Sequence, residues 1–101
     1  MRIALDYDET YTNDKNFWSV FIELCKSNGH EIKFVTFRYR SKNQFENADI
    51  ECDAMEENIE IIYCNGKQKS TVYHADIWID DAPITIPEMG LMERWKYWNK
   101  Q

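Results

Sequence analysis

Ile3-Ala4-Leu5-Asp6-Tyr7-Asp8-Glu9-Thr10 is the stretch on which the fold turns. Arg2 to Leu5 is a short aliphatic run ending in an acid, the pattern of a buried strand that delivers polar side chains to its carboxyl edge. Either Asn13 or Asp14 can cap a following helix, along which Phe17, Val20, Phe21 and Leu24 recur at helical spacing before Asn28-Gly29 stops it. Glu31 to Thr36 reads as a second strand. A second helix is expected from a cap at Ser41, with Phe45, Ala48, Cys52 and Met55 on its apolar face and an exit at Asn58. Apolar runs at Ile59 to Cys64 and Asp76 to Ile79 supply strands three and four, closed by Asn65-Gly66 and by Asp80-Asp81 with Pro83. Strands alternating with helices imply parallel crossovers and an α/β sheet, whose ligands bind off the carboxyl ends of the strands.

Lys67 to Ala75 is too short for a full crossover helix, so a single turn is expected there. Beyond Pro87, the residues Leu91, Trp95 and Trp98 share one helical face, which suits a cover for the sheet or a homo-oligomer contact.

With 101 residues, 44% of them hydrophobic, the chain is expected to form one domain over residues 1–101 around a single core. A net charge of −6 argues against general attraction to nucleic acid or anionic lipid, although Arg38, Arg40 and Lys42 form a local basic segment. The amino-terminal apolar run is too short for a signal peptide or membrane span, so a cytoplasmic protein without a membrane partner is expected. Cys25, Cys52 and Cys64 lack zinc-ligand spacing and read as buried, reduced thiols. His30 and His74 likewise read as structural.

Polar groups gather at all four strand ends: Asp6 and Asp8, then Thr36, then Lys67 or Lys69, then Asp80 with Asp81. Carboxylates at such an edge suit a hard cation, and Mg²⁺ takes one or two of them, leaving other positions to water and phosphate. Asp6 and Asp80 are the first metal candidates, joined by Asp81. A carboxylate beside the metal can attack phosphorus once cations neutralise the phosphoryl oxygens, a role that fits Asp6. Asp8 can then protonate the leaving alkoxide, while Thr36 and a lysine hold phosphoryl oxygens. Thr10 and Arg38 are candidate substrate contacts.

In these motifs the chain resembles the haloacid dehalogenase-like (HAD) phosphatase superfamily, and among its members the small capless ones that bacteriophages often encode. That family carries Asp-x-Asp-x-Thr after strand one, Thr or Ser after strand two, a lysine, and then paired acids, here Asp6-Tyr7-Asp8-Glu9-Thr10, Thr36, Lys69 or Lys67, and Asp80-Asp81. The resemblance implies a minimal Rossmann-like sheet of about four strands in the order 3-2-1-4, flanked by helices, with no cap domain. It implies Asp6 as nucleophile and metal ligand, and Asp8 as acid/base that also binds metal through its carbonyl. It implies Thr36 and Lys69 or Lys67 on phosphate, with Asp80 and Asp81 completing the Mg²⁺ site. Register favours Lys69 over Lys67. Glu9 stands where many members have Gly, a departure in the turn after the nucleophile.

The expected activity is Mg²⁺-dependent hydrolysis of a phosphomonoester through an aspartyl-phosphate, the substrate being a nucleotide, another small phosphate ester or a nucleic-acid end. Neither cap insertion point has room, so the site is expected to be open. A phosphoacceptor receiver domain would instead carry its phosphorylated Asp after strand three, where this chain has Cys64-Asn65-Gly66. The alternative reading is a degenerate HAD-like module that binds metal or a partner without catalysis.

Overall fold

The computed structural model describes residues 1–43 and 45–87. The apolar positions Leu91, Trp95 and Trp98 therefore lie outside the described residues. Strands β1 (Arg2–Leu5), β2 (Glu31–Thr36), β3 (Ile61–Tyr63) and β4 (Ile77–Ile79) form one sheet in the order β3-β2-β1-β4. All three strand pairs are parallel, with Leu5 level with Phe34 on one side and with Ile79 on the other. This is the α/β, 3-2-1-4 architecture expected.

Helices α1 (Lys15–Ser27) and α2 (Ala48–Glu57) connect β1 to β2 and β2 to β3. Two right-handed crossovers running the same way along a sheet place their helices on the same face. The larger core shows this: Ile22 and Cys25 of α1 and Ile50 and Ala54 of α2 pack on Ile3, Leu5, Ile32, Phe34, Ile61 and Tyr63. Alternate strand residues, Ala4, Val35 and Ile62 with Trp78, face the other way and meet Tyr73 and Cys64. That second face is covered by the β3–β4 connection, which holds only the expected single turn, Lys69–Thr71.

Asp14 caps α1, its carboxylate accepting from the Phe17 amide at 3.2 Å. At the other end Asn28 is followed by Gly29 at φ 78°, and the amides of His30 and Gly29 return to the carbonyls of Cys25 and Lys26. This left-handed glycine closure is the stop expected at Asn28-Gly29.

Most of the apolar face expected on each helix is turned outward, Phe21 and the half-buried Ala48 excepted. Phe17, Val20 and Leu24 are exposed, and α1 instead buries Ile22 and Cys25, with Trp18 and Phe21 partly covered. The helix has two apolar stripes, and spacing alone cannot choose between them. Helix α2 starts after Asn47 rather than Ser41, which leaves Phe45 ahead of it and exposed; within α2, Cys52 and Met55 are exposed, while Ile50, Asp53, Ala54 and Glu57 are buried. The acids face inward because Tyr7 and Tyr11 meet them: the Tyr7 hydroxyl donates to Asp53 at 2.5 Å and the Tyr11 hydroxyl to Glu57 at 2.6 Å. Lys15 adds a 3.0 Å ion pair to Asp53. Of the three thiols, Cys25 and Cys64 are buried as expected and Cys52 is not.

Candidate functional site

Asp6 leaves β1 beside Asp80 leaving β4, because Leu5 is paired with Ile79 and the Asp6 amide donates to the Ile79 carbonyl at 2.9 Å. Thr36 ends the neighbouring β2 and is fully buried. The β3–β4 connection then folds back so that Lys69 enters from the side. Its ammonium lies 2.8 Å from Asp6 Oδ1 and 2.5 Å from Asp80 Oδ2 and is only 2% exposed. Lys67 is exposed and lies outside this cluster. One oxygen each from Asp6, Asp80 and Asp81 falls within a sphere of mutual distances no larger than 4.8 Å.

Thr10 binds these carboxylates together. Its hydroxyl lies 3.3 Å from both Asp6 Oδ2 and Asp81 Oδ1, and the residue is buried, so Thr10 holds the acids in place. The turn that carries it is built around Glu9 at φ 61°, the left-handed conformation in which glycine is at ease. Two contacts fix the peptide there: the Glu9 amide donates to Thr12 Oγ1 at 3.1 Å, and its carbonyl accepts from Asn13 Nδ2 at 2.6 Å. The turn thus forms without glycine.

Asp8 is held by a partner of its own and is not among the three clustered carboxylates. Both of its oxygens accept from Arg38, at 2.9 Å from Nε and 2.6 Å from Nη2. The same guanidinium reaches Asp49 in the first turn of α2 at 2.8 and 2.9 Å, and it lies 5.3 Å from the centre of the Tyr7 ring. Arg38 therefore ties the loop after β1, the loop after β2 and the start of α2 at one point. Asp49 gains from this, its carboxyl being held at about 2 chiefly by the Arg38 hydrogen bonds.

Electrostatics at the centre run the other way. Burial, reinforced by the hydrogen bond to Asp81 and opposed by Lys69, pushes the Asp6 carboxyl up to about 7. Burial also works against the charge on Lys69, but hydrogen bonds to Asp6 and Asp80 outweigh it and hold the ammonium above its ordinary range. Asp81, accepting from Asp6, is held below the usual carboxylate range. Three carboxylates facing one ammonium leave a negative surplus of two, which Asp6 reduces by keeping a proton. An all-oxygen donor set with that surplus fits a hard divalent cation.

These groups line a cleft of about 440 Å³ that includes Asp6, Asp8, Thr36, Lys69, Asp80 and Asp81. Phe37, Tyr39, Ala82 and Thr85 complete its wall and were not singled out by sequence reasoning. Position could have signalled the first two, since they flank Arg38 immediately after the β2 end. Arg40 turns elsewhere, its guanidinium 5.0 Å from the Tyr63 ring centre. Among the described residues no helix is long and apolar enough to cross a membrane. Compared with known proteins, the chain matches no family, no curated sequence and no solved structure.

Proposed function

We propose that the protein is a Mg²⁺-dependent phosphomonoester hydrolase that works through an aspartyl-phosphate on Asp6. The observation that carries the reading is the convergence of Asp6, Asp80, Asp81, Lys69 and Thr36 on one cleft at the carboxyl edge of a parallel sheet. Bound Mg²⁺ would be held by Asp6, Asp80 and Asp81 and would polarise a phosphoryl oxygen. Asp6 is the nucleophile, and losing its proton to reach that role is favoured by a cation beside it. Lys69 and the Thr36 hydroxyl orient and neutralise phosphoryl oxygens as negative charge develops. Thr10 fixes the rotamer of the nucleophile by bonding to its second oxygen. Asp8, once Arg38 releases one of its two oxygens and it takes a proton from solvent, gives that proton to the leaving alkoxide and then takes one from the water that hydrolyses the aspartyl-phosphate.

The test is phosphate release from a generic aryl phosphate with and without Mg²⁺. Hydrolysis should require the cation and be lost in Asp6→Asn while the circular dichroism spectrum is retained. Equal turnover by that variant sinks the mechanism. The full engagement of the Asp8 carboxylate by Arg38 favours a second reading, a module that binds a divalent cation without catalysis. Calorimetric Mg²⁺ binding with no hydrolysis across a broad panel of phosphate esters would select it.

A further inference from the structure

Three large aromatic side chains stand exposed beside the carboxylate cleft: Phe37 at 43%, Tyr39 at 68% and Phe45 at 76%. Exposed rings of this size in one neighbourhood mark a recognition surface more often than a solvated one. Tyr39 and Phe45 line a second cleft of about 640 Å³ together with Arg38, Glu46, Asn47 and Asp49. Arg38 and Tyr39 line both clefts, so the two lie side by side.

The backbone that carries Phe37 and Tyr39 is held firmly although their rings are not covered. Asn65 and Gly66, in the turn after β3, donate their amides to the carbonyls of Arg38 and Phe37 at 3.1 and 3.0 Å. Asn65 Oδ1 accepts from the Arg40 amide at 2.9 Å, and Asn47 Nδ2 donates to the Tyr39 carbonyl at 3.0 Å. Gly66 sits directly against the Tyr39 ring, since a Cβ there would lie 2.7 Å from its hydroxyl oxygen. The loop thus presents an open ring from a fixed main chain, the arrangement that lets a flat ligand stack with little ordering of the protein.

We propose that the Tyr39–Phe45 cleft is a nucleobase subsite, so that the substrate of the carboxylate centre is a nucleoside monophosphate. This deepens, and rests on, the phosphate-ester reading above. Bases stack on aromatic faces irrespective of sequence, and the shared wall at Arg38 and Tyr39 sets such a base next to the cleft that holds Thr36 and Lys69. Charge selects the single nucleotide over a strand. Arg38 is already neutralised by Asp8 and Asp49, and Glu46 adds a carboxylate to the outer cleft. A chain with net charge −6 and no free cation among the residues lining this outer cleft offers nothing to a train of further phosphates.

The experiment compares kcat/KM, with Mg²⁺, for nucleoside 5′-monophosphates, ribose 5-phosphate and a 5′-phosphorylated single-stranded oligonucleotide. The nucleotide should exceed ribose 5-phosphate by about tenfold or more. Tyr39→Ala and Phe45→Ala should each pull that ratio toward one through KM, and Tyr39→Phe should preserve it. Equal use of the two small esters, or an unchanged ratio in both alanine variants, overturns the subsite. A preference for the oligonucleotide overturns the single nucleotide as its occupant. Binding to Asp6→Asn, followed by ring-proton shifts in NMR, separates this inference from the hydrolytic one. Nucleoside monophosphate bound more tightly than ribose 5-phosphate supports the subsite even if nothing is hydrolysed, and equal binding rejects it.

Discussion

Glu9 carries a backbone conformation that its side chain does nothing to favour. A non-glycine residue at φ 61° costs roughly 1–2 kcal/mol, while glycine loses about 0.5–1 kcal/mol more chain entropy on folding. The two main-chain contacts of Glu9, to Thr12 and Asn13, survive substitution because they involve only its amide and carbonyl. Glu9→Gly should therefore stabilise the protein by about 0.5–1 kcal/mol, seen as a rise of several degrees in thermal midpoint. A Glu9→Gly midpoint below that of Glu9→Ala would show instead that the chain entropy glycine loses outweighs the strain it relieves. The strain sits three residues after the proposed nucleophile, and the turn it permits brings Thr10 back onto Asp6 and Asp81. One stressed residue thereby positions two of the three clustered carboxylates.

Among the elements, α2 shows most clearly how a buried charge is accommodated. Asp53 and Glu57 face the core, each accepting a tyrosine hydroxyl, while the Ser19 hydroxyl also donates to Glu57 and Lys15 pairs with Asp53. Removing one partner of such a pair leaves the other buried and unsatisfied, at about 1–3 kcal/mol. Asp53→Ala should destabilise by that amount, Tyr7→Phe by less because Lys15 still pairs with Asp53, and the double variant by clearly less than their sum. Chemical denaturation of the four proteins checks this, and strict additivity would deny the coupling. The same element explains what could be read in advance. Each strand appears as an apolar run closed by polar residues, so the parallel sheet and the gathering of Asp6, Thr36 and Asp80 were legible in the residues, while the strand order was implied by the family resemblance alone. The inward faces of α1 and α2 were not. On α1, apolar residues lie on two sides, and on α2 the buried acids depend on hydroxyls from Tyr7 and Tyr11, some 46 residues away in sequence. Spacing along one helix cannot reveal a partner contributed by another segment. Nor does the chain announce that Arg38 clasps Asp8 and Asp49 together, since that contact needs β2 beside β1 and α2 above both.

At the scale of the molecule, surplus negative charge at the sheet edge should make stability depend jointly on pH and divalent cation. Asp6 titrates at about 7 in the folded chain against an ordinary 3.8, so the folded state binds the extra proton. The stability this gives is complete below pH ~3.8 and is lost as pH rises through about 7. Without metal, the thermal midpoint of the wild type relative to Asp6→Asn should therefore fall between pH 5 and pH 8. Asparagine keeps a neutral group in the same place and does not titrate. Mg²⁺ bound as proposed should reverse the trend, because it would replace the proton at Asp6 and bind the carboxylate form. Its stabilising effect should be small at pH 5 and large at pH 8, reaching about 2.7 kcal/mol at one hundred times its Kd. For a chain of this length that is on the order of 10 °C. Asp80→Asn should lose most of the response, since it removes one of the three clustered donors and the second anchor of Lys69. Differential scanning fluorimetry of the three proteins at both pH values decides the matter. A Mg²⁺ effect of equal size at pH 5 and pH 8, or one undiminished in Asp80→Asn, would place the cation somewhere other than at Asp6, Asp80 and Asp81.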